Sequence, residues 1–219
     1  MIFDVSHLGA AGVAHVLELA TRPLLATHSS ARALHDHHRN LTDDQLRGVA
    51  ATGGVVCVNF FPGFLAEAEE DRTLEKLVDH IDLVASVAGI DHVGIGPDFL
   101  REVLLDVTPP CAEDLDLDDI DPLVTLPGLD GPAGLPLVTA GLVRRGHTET
   151  GIGKILGGNV HRLFRRGTGA RPMTSATGTI PAAGRPAAAD PAPVTGAEFE
   201  GNVKLGSMLA DLEELVLCE

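Results

Sequence analysis

Tryptophan and tyrosine are absent from this 219-residue chain, and aromatic residues make up only 3% of it. A core must therefore be built from aliphatic side chains, which the 44% hydrophobic content permits. Cysteine is scarce as well. Cys57, Cys111 and Cys218 are scattered, odd in number and without a CxxC pair. That pattern argues against a disulfide framework or a structural zinc knuckle and fits a reducing, cytoplasmic setting. Basic residues are few, 16 Lys and Arg against 31 Asp and Glu, for a net charge of −15. Nucleic-acid binding, which needs clustered cations to neutralise phosphates, is not expected. No apolar run reaches transmembrane length, and the N-terminus lacks the basic-then-apolar pattern of a signal peptide.

What is present alternates. "MIFDVSHL" reads as a strand and "AGVAHVLELA" as a helix; "PLLATHSS" is a second strand. In "NLTDDQLRGVAATGG", Thr42 is an N-cap and Gln45 stands at the third helical position, the pattern of a capping box, while Gly53 and Gly54 end the helix. "VVCVNFF" is a continuously apolar third strand, as expected of one buried on both faces. "TLEKLVDHIDLVASVAG" carries Leu74, Leu77, Val78, Ile81 and Val84 on one stripe, between a Thr73 cap and a Gly89 stop. "HVGIGPDF" is a fourth strand. The acidic run from Glu113 to Asp121 is read as a solvated loop, because it lacks the glycine and spacing of a calcium loop. "LPLVTAGLVRRG" and "TETGIGKILGGNVHRLFRR" then read as helices. Residues 167–195, rich in Gly, Ala, Pro, Ser and Thr, have no period and read as a disordered linker; residues 196–219 form a tail with one short amphipathic stretch. Strands alternating with helices give an α/β fold of parallel units, a doubly wound sheet or a (β/α)8 barrel. No Gly-rich phosphate loop follows a strand.

Three of the four strands end in a residue able to hold a metal or move a proton: His7, His28 and Asp98. Taken singly, each has a plainer reading, a hydrogen-bonded rim histidine or a turn-capping aspartate. Together, at one end of parallel strands, they mark the edge where α/β barrels carry their active sites, and imidazoles with a carboxylate suit Zn²⁺. Four of the ten histidines crowd into "THSSARALHDHH". Of these, His35, His37 and His38 lie past the strand on a loop. Arg39 follows at a helix entrance, where a guanidinium can hold a carboxylate bidentately or make a surface ion pair.

The segments "FDVSHLG", "THSSARALHDHHRNLTDDQLRGVAATGGVVCVNFFPGFL", "LVDHIDLVASVAGIDHVGIGPDF" and "ILGGNVHRLF" resemble, in that order, the C-terminal half of the membrane (renal) dipeptidases, peptidase family M19. The resemblance covers residues 2–166 and not the tail. It implies the C-terminal half of a (β/α)8 metal-dependent hydrolase barrel and a zinc-dependent dipeptidase, in which a metal-bound hydroxide cleaves dipeptides. It implies His7 and His28 as the two histidine ligands of one of two zinc ions, Arg39 as the partner of the substrate's C-terminal carboxylate, and Asp98 as the proton shuttle.

The remaining family ligands, an HxD pair and a bridging glutamate, belong to an N-terminal half with no counterpart in these 219 residues, as does a substrate-binding histidine. After Asp98 the family's "DFDG" is replaced by "DFLREVLLDV". The chain is therefore expected to be a fragment that pairs with an N-terminal half-barrel or with itself. The DNA upstream of Met1 is expected to encode that half. The alternative is a non-catalytic half-barrel serving as an interaction or metal-binding module.

Overall fold

The computed structural model describes residues 1–99 and 124–167, all within one compact unit, Met1–Met173. The acidic run, the linker beyond Gly167 and the tail expected from the sequence lie outside the described residues. The element order is β1 (Phe3–Asp4), α1 (Ala10–Leu19), β2 (Leu24–Ala26), α2 (Asp43–Ala51), β3 (Val55–Asn59), α3 (Leu74–Ala88), β4 (Val93–Gly96), α4 (Leu135–Arg144), α5 (Glu149–Gly153) and α6 (Asn159–Gly167). The four strands form one parallel sheet in the order β1-β2-β3-β4. Each sequential pair is thus joined by a crossover helix, the arrangement that barrels and doubly wound sheets share.

β3 is buried along its whole length, as its unbroken apolar run requires. The helices form where the sequence predicts. Thr42 accepts from the Gln45 amide, and the Gln45 side chain accepts from the Thr42 amide, which completes the capping box. Leu77, Val78, Ile81 and Val84 of α3 are all buried against the sheet. The strands are shorter than the sequence suggests. β1 and β2 end at Asp4 and Ala26, so His7 and His28 stand beyond the regular ladder. The stretch read as one helix over 148–166 is interrupted. A π-turn, Lys154–Gly158, with Gly157 at φ 158°, separates α5 from α6. The offset lets buried Asn159 reach back and donate to the carbonyls of Ile90 and Val93, closing the chain onto the start of β4.

The strand ends are stitched beyond the ladder by small polar groups. Ser6 Oγ accepts from the His28 amide, the Ser6 and Ser29 hydroxyls are 3.2 Å apart, and the Ser29 amide donates to Cys57 O. Gly96 explains why β4 can end here. A Cβ on it would stand 2.0 Å from the Thr27 carbonyl oxygen, so only glycine lets β4 and the end of β2 approach this closely.

One buried polar residue ties these loops to the core, and the α3 stripe does not reveal it. His80 is fully buried; its Nδ1 accepts from the Ala31 amide and its Nε2 donates to Leu65 O. The neutral ring thereby joins the loop after β2 to the loop after β3. Burial pushes its pKa down to about 4, because a buried imidazolium loses its hydration and the Ala31 bond needs a bare nitrogen. The unfolded chain takes up this proton near the ordinary value of 6.5 and the folded chain only near 4. His80 thus contributes fully to stability above pH 6.5, and that contribution is lost as pH falls towards 4. The loss is roughly 3 kcal/mol. Urea midpoints followed by far-UV circular dichroism should fall across this window, and less steeply in His80→Gln than in the wild type. Equal slopes would contradict this role.

Candidate metal and substrate site

Parallel register brings the strand ends to one place. Asp4 pairs with Leu25, so His7 and His28, each three residues further on, arrive at the same height on neighbouring strands. Their Nε2 atoms are 2.7 Å apart, with the rings edge to face. Asp98 follows β4 by two residues, and its Oδ2 accepts from the side chain of Asn59, the last residue of β3. The backbone is unusual at two of these positions. His7 (φ 68°) and Asp98 (φ 55°) are the non-glycine residues with positive φ among those described. The left-handed region costs an L-residue roughly 1–2 kcal/mol and is commonest at functional sites. Here it turns both side chains out of the strand direction at the sheet's C-terminal edge.

Arg39 reaches the same region from the loop after β2. The bridge between Ala31 and Leu41 closes that loop, and buried Asn40 pins it by donating to His35 O and Phe64 O. The Arg39 guanidinium lies 5.1 Å from the centre of the Phe64 ring. Its Nε and Nη2 are buried and have no hydrogen-bond partner among the described residues. Donors of a permanent cation left in this state are suited to a planar anion. Burial is also the main cause that lowers the Arg39 pKa, and the charge of Asp98 opposes it.

The four groups act on one another electrostatically. Burial lowers the pKa of His7, and the charges of Arg39 and His28 add to the effect. His28 is lowered chiefly by burial too, with Arg39 lowering it further and Asp98 opposing. Both imidazoles are therefore neutral at pH 7 and offer lone pairs, the form in which histidine binds metal. Two converging imidazole nitrogens match zinc in donor type. They are an incomplete set, since no group of three or more His, Cys, Asp or Glu among the described residues is arranged to hold a metal ion.

The other loop histidines are placed differently. His35 meets Gly63 O, while His37 packs among His35, His38 and Phe64. Burial is the main cause that pushes the His37 pKa down to about 4, and electrostatic interaction with His38, His35, Arg39 and Arg32 adds to it. The three histidines pack within the loop that carries Arg39. Sequence reasoning missed the partners of the site: Asn59 beside Asp98, and Asp4 and Thr27 beside His28. A carboxylate inside "IFDV" and an amide closing the buried "VVCVN" were the available signals, the second because a polar group on a buried strand needs a partner.

A family model described as Membrane dipeptidase (Peptidase family M19) matches residues 1–107. The match spans just under half of the chain, and the chain is similar to members of that family. An uncharacterised dipeptidase of Schizosaccharomyces pombe is 34% identical over 166 residues, 75% of this chain and 36% of the relative. Among solved structures, the M19 metallopeptidase dipeptidase AC is similar at 32% identity and a TM-score of 0.61, over 76% of this chain and 44% of that one. A metallopeptidase from Rhodobacter sphaeroides, liganded with a phosphinate mimic of the dipeptide L-Ala-D-Ala, is similar at 31% identity and a TM-score of 0.59, over 74% and 41%. The parallel α/β sheet is thus part of a (β/α)8-type barrel, and the family implies a metal. The chain spans 36–37% of the length of two curated dipeptidase relatives. Among the described residues, no helix is long and apolar enough to cross a membrane.

Proposed function

We propose that this chain carries the C-terminal part of a zinc dipeptidase site, with His7 and His28 as ligands of one of two zinc ions, Arg39 as the carboxylate clamp and Asp98 as the proton carrier. The observation that supports it best is the 2.7 Å approach of the two Nε2 atoms, together with a half-buried Arg39 whose Nε and Nη2 are buried without a partner among the described residues. One feature suits the metal and the other an anionic chain end. When bound, zinc supplies a Lewis acid and lowers the pKa of water to about 7.

The chain's own residues do the rest. Arg39 receives the substrate's C-terminal carboxylate in a bidentate fork. Its fixed distance from the histidines sets the length of peptide that fits, which selects dipeptides over longer chains. Phe64 presents its ring face to the guanidinium, 5.1 Å away. Asp98, with Oδ2 held by Asn59, takes a proton from the attacking water on its other oxygen and returns it to the leaving amine. The family's other ligands, absent from the described residues, come from an N-terminal half-barrel on a separate or longer chain. The relative solved with a dipeptide mimic supports this substrate class.

Two outcomes follow. Zinc should compete with a chromogenic chelator for the chain, weakly, and replacing both His7 and His28 by Ala should abolish that competition. Loss of binding only on replacing His35, His37 and His38 would move the ligands to the loop. In a site completed by a relative's N-terminal half, Arg39→Lys should raise the KM for dipeptides about tenfold with kcat little changed, since an ammonium cannot reproduce the fork. An unchanged KM would make Arg39 a structural cation.

A further inference from the structure

We infer that Asp4 and Thr27 are positioning residues that fix the tautomer and aim of His28. The inference rests on His28 being a metal ligand as proposed above, and it adds two residues to that assignment. Asp4 accepts three hydrogen bonds: Oδ1 from the amides of Ser6 and Thr27, both at 3.0 Å, and Oδ2 from the Thr27 hydroxyl at 2.5 Å. The same Thr27 oxygen lies 2.7 Å from His28 Nδ1.

The proton inventory leaves one arrangement. A carboxylate only accepts, and a threonine hydroxyl has a single proton. Thr27 gives that proton to Asp4, so its contact with His28 is a hydrogen bond only if Nδ1 carries a proton and donates. A neutral imidazole has one N–H. Nε2 is then the bare nitrogen, and it is the atom that faces His7. The contact between the two histidines is satisfied in turn when His7 carries its proton on Nε2 and donates to His28.

The two histidines are therefore not equivalent. His28 is held ready with its lone pair outward. His7 has to move its proton to Nδ1 before its Nε2 can bind a cation. Partners behind a ligating histidine commonly act this way, with a carboxylate touching the ring directly; here the threonine hydroxyl relays it. The Asp4 bonds to the Ser6 and Thr27 amides also tie the end of β1 to the end of β2. One side chain thus sets the spacing of the strands and the orientation of the ring.

The test reads tautomers directly. The full ¹⁵N-labelled chain would be studied at pH 7.5 by long-range ¹H–¹⁵N correlation, first with chelator and then with zinc. His28 should show a protonated Nδ1 and a bare Nε2 in both conditions. His7 should show a protonated Nε2 that becomes bare on adding zinc. Thr27→Val should remove the His28 preference and weaken zinc binding about 10–100-fold, and Thr27→Ser should restore both. A wild-type His28 protonated on Nε2 overturns the inference, whether or not any variant folds. So does an unaltered tautomer in a folded Thr27→Val chain. A wild-type chain with the Nδ1–H form that takes up no zinc supports the relay and overturns the metal assignment, so the two failures are distinct.

Discussion

The pairing of Asp4 with Leu25 decides what the strand ends can do. With parallel strands roughly 4.8 Å apart, side chains at equal height meet and those one residue out of step face opposite sides of the sheet. This register carries His7 and His28 to the same height and the same side. Beyond the ladder the backbone no longer enforces it, and Ser6, Ser29 and Asp4 take over with hydrogen bonds between the ends of β1 and β2. A site built on ends rather than on strands needs such stitching, because its residues lie where regular pairing has stopped.

The same edge carries backbone strain. His7 and Asp98 occupy the left-handed region, and neither is the residue that region favours most. The surrounding packing offsets the cost. Val5, Ala26, Val58 and Val93 lie in one buried cluster beneath the site, and His80 locks the loops after β2 and β3 onto α3. The site's polar atoms thus stand on an aliphatic floor that a chain without tryptophan or tyrosine builds from valine, leucine and isoleucine. Glycine at position 96 completes the geometry by letting a strand backbone reach the Thr27 carbonyl.

Much of this was legible in the residues. Alternation of apolar runs and amphipathic stretches carries the βα order, and the capping box at Thr42 is visible because both partners are local. His7, His28 and Asp98 could be picked out by their places at strand ends, and Arg39 by the motif around it. The positive φ values at His7 and Asp98 left no mark, since neither residue is glycine and the strain comes from tertiary packing. Nothing in the apolar stripe of α3 singled out His80, and only the loops folded over it make it a core residue. The break at Gly157 was hidden by a helical pattern continuous on both sides. Asp4 and Thr27 were not singled out, because His28 lies more than twenty residues from Asp4 and the three meet only through the register.

The central claim is that these strand ends are one part of a dipeptide-hydrolysing metal site. The most direct measurement mixes the purified chain with the N-terminal half-barrel of an M19 relative, adds zinc and follows release of amino acids from a dipeptide. The account predicts hydrolysis that requires both pieces and zinc and is lost in Asp98→Asn. A folded, stoichiometric complex that binds zinc and hydrolyses no dipeptide would contradict it, and would leave the chain as a metal-binding module without the chemistry.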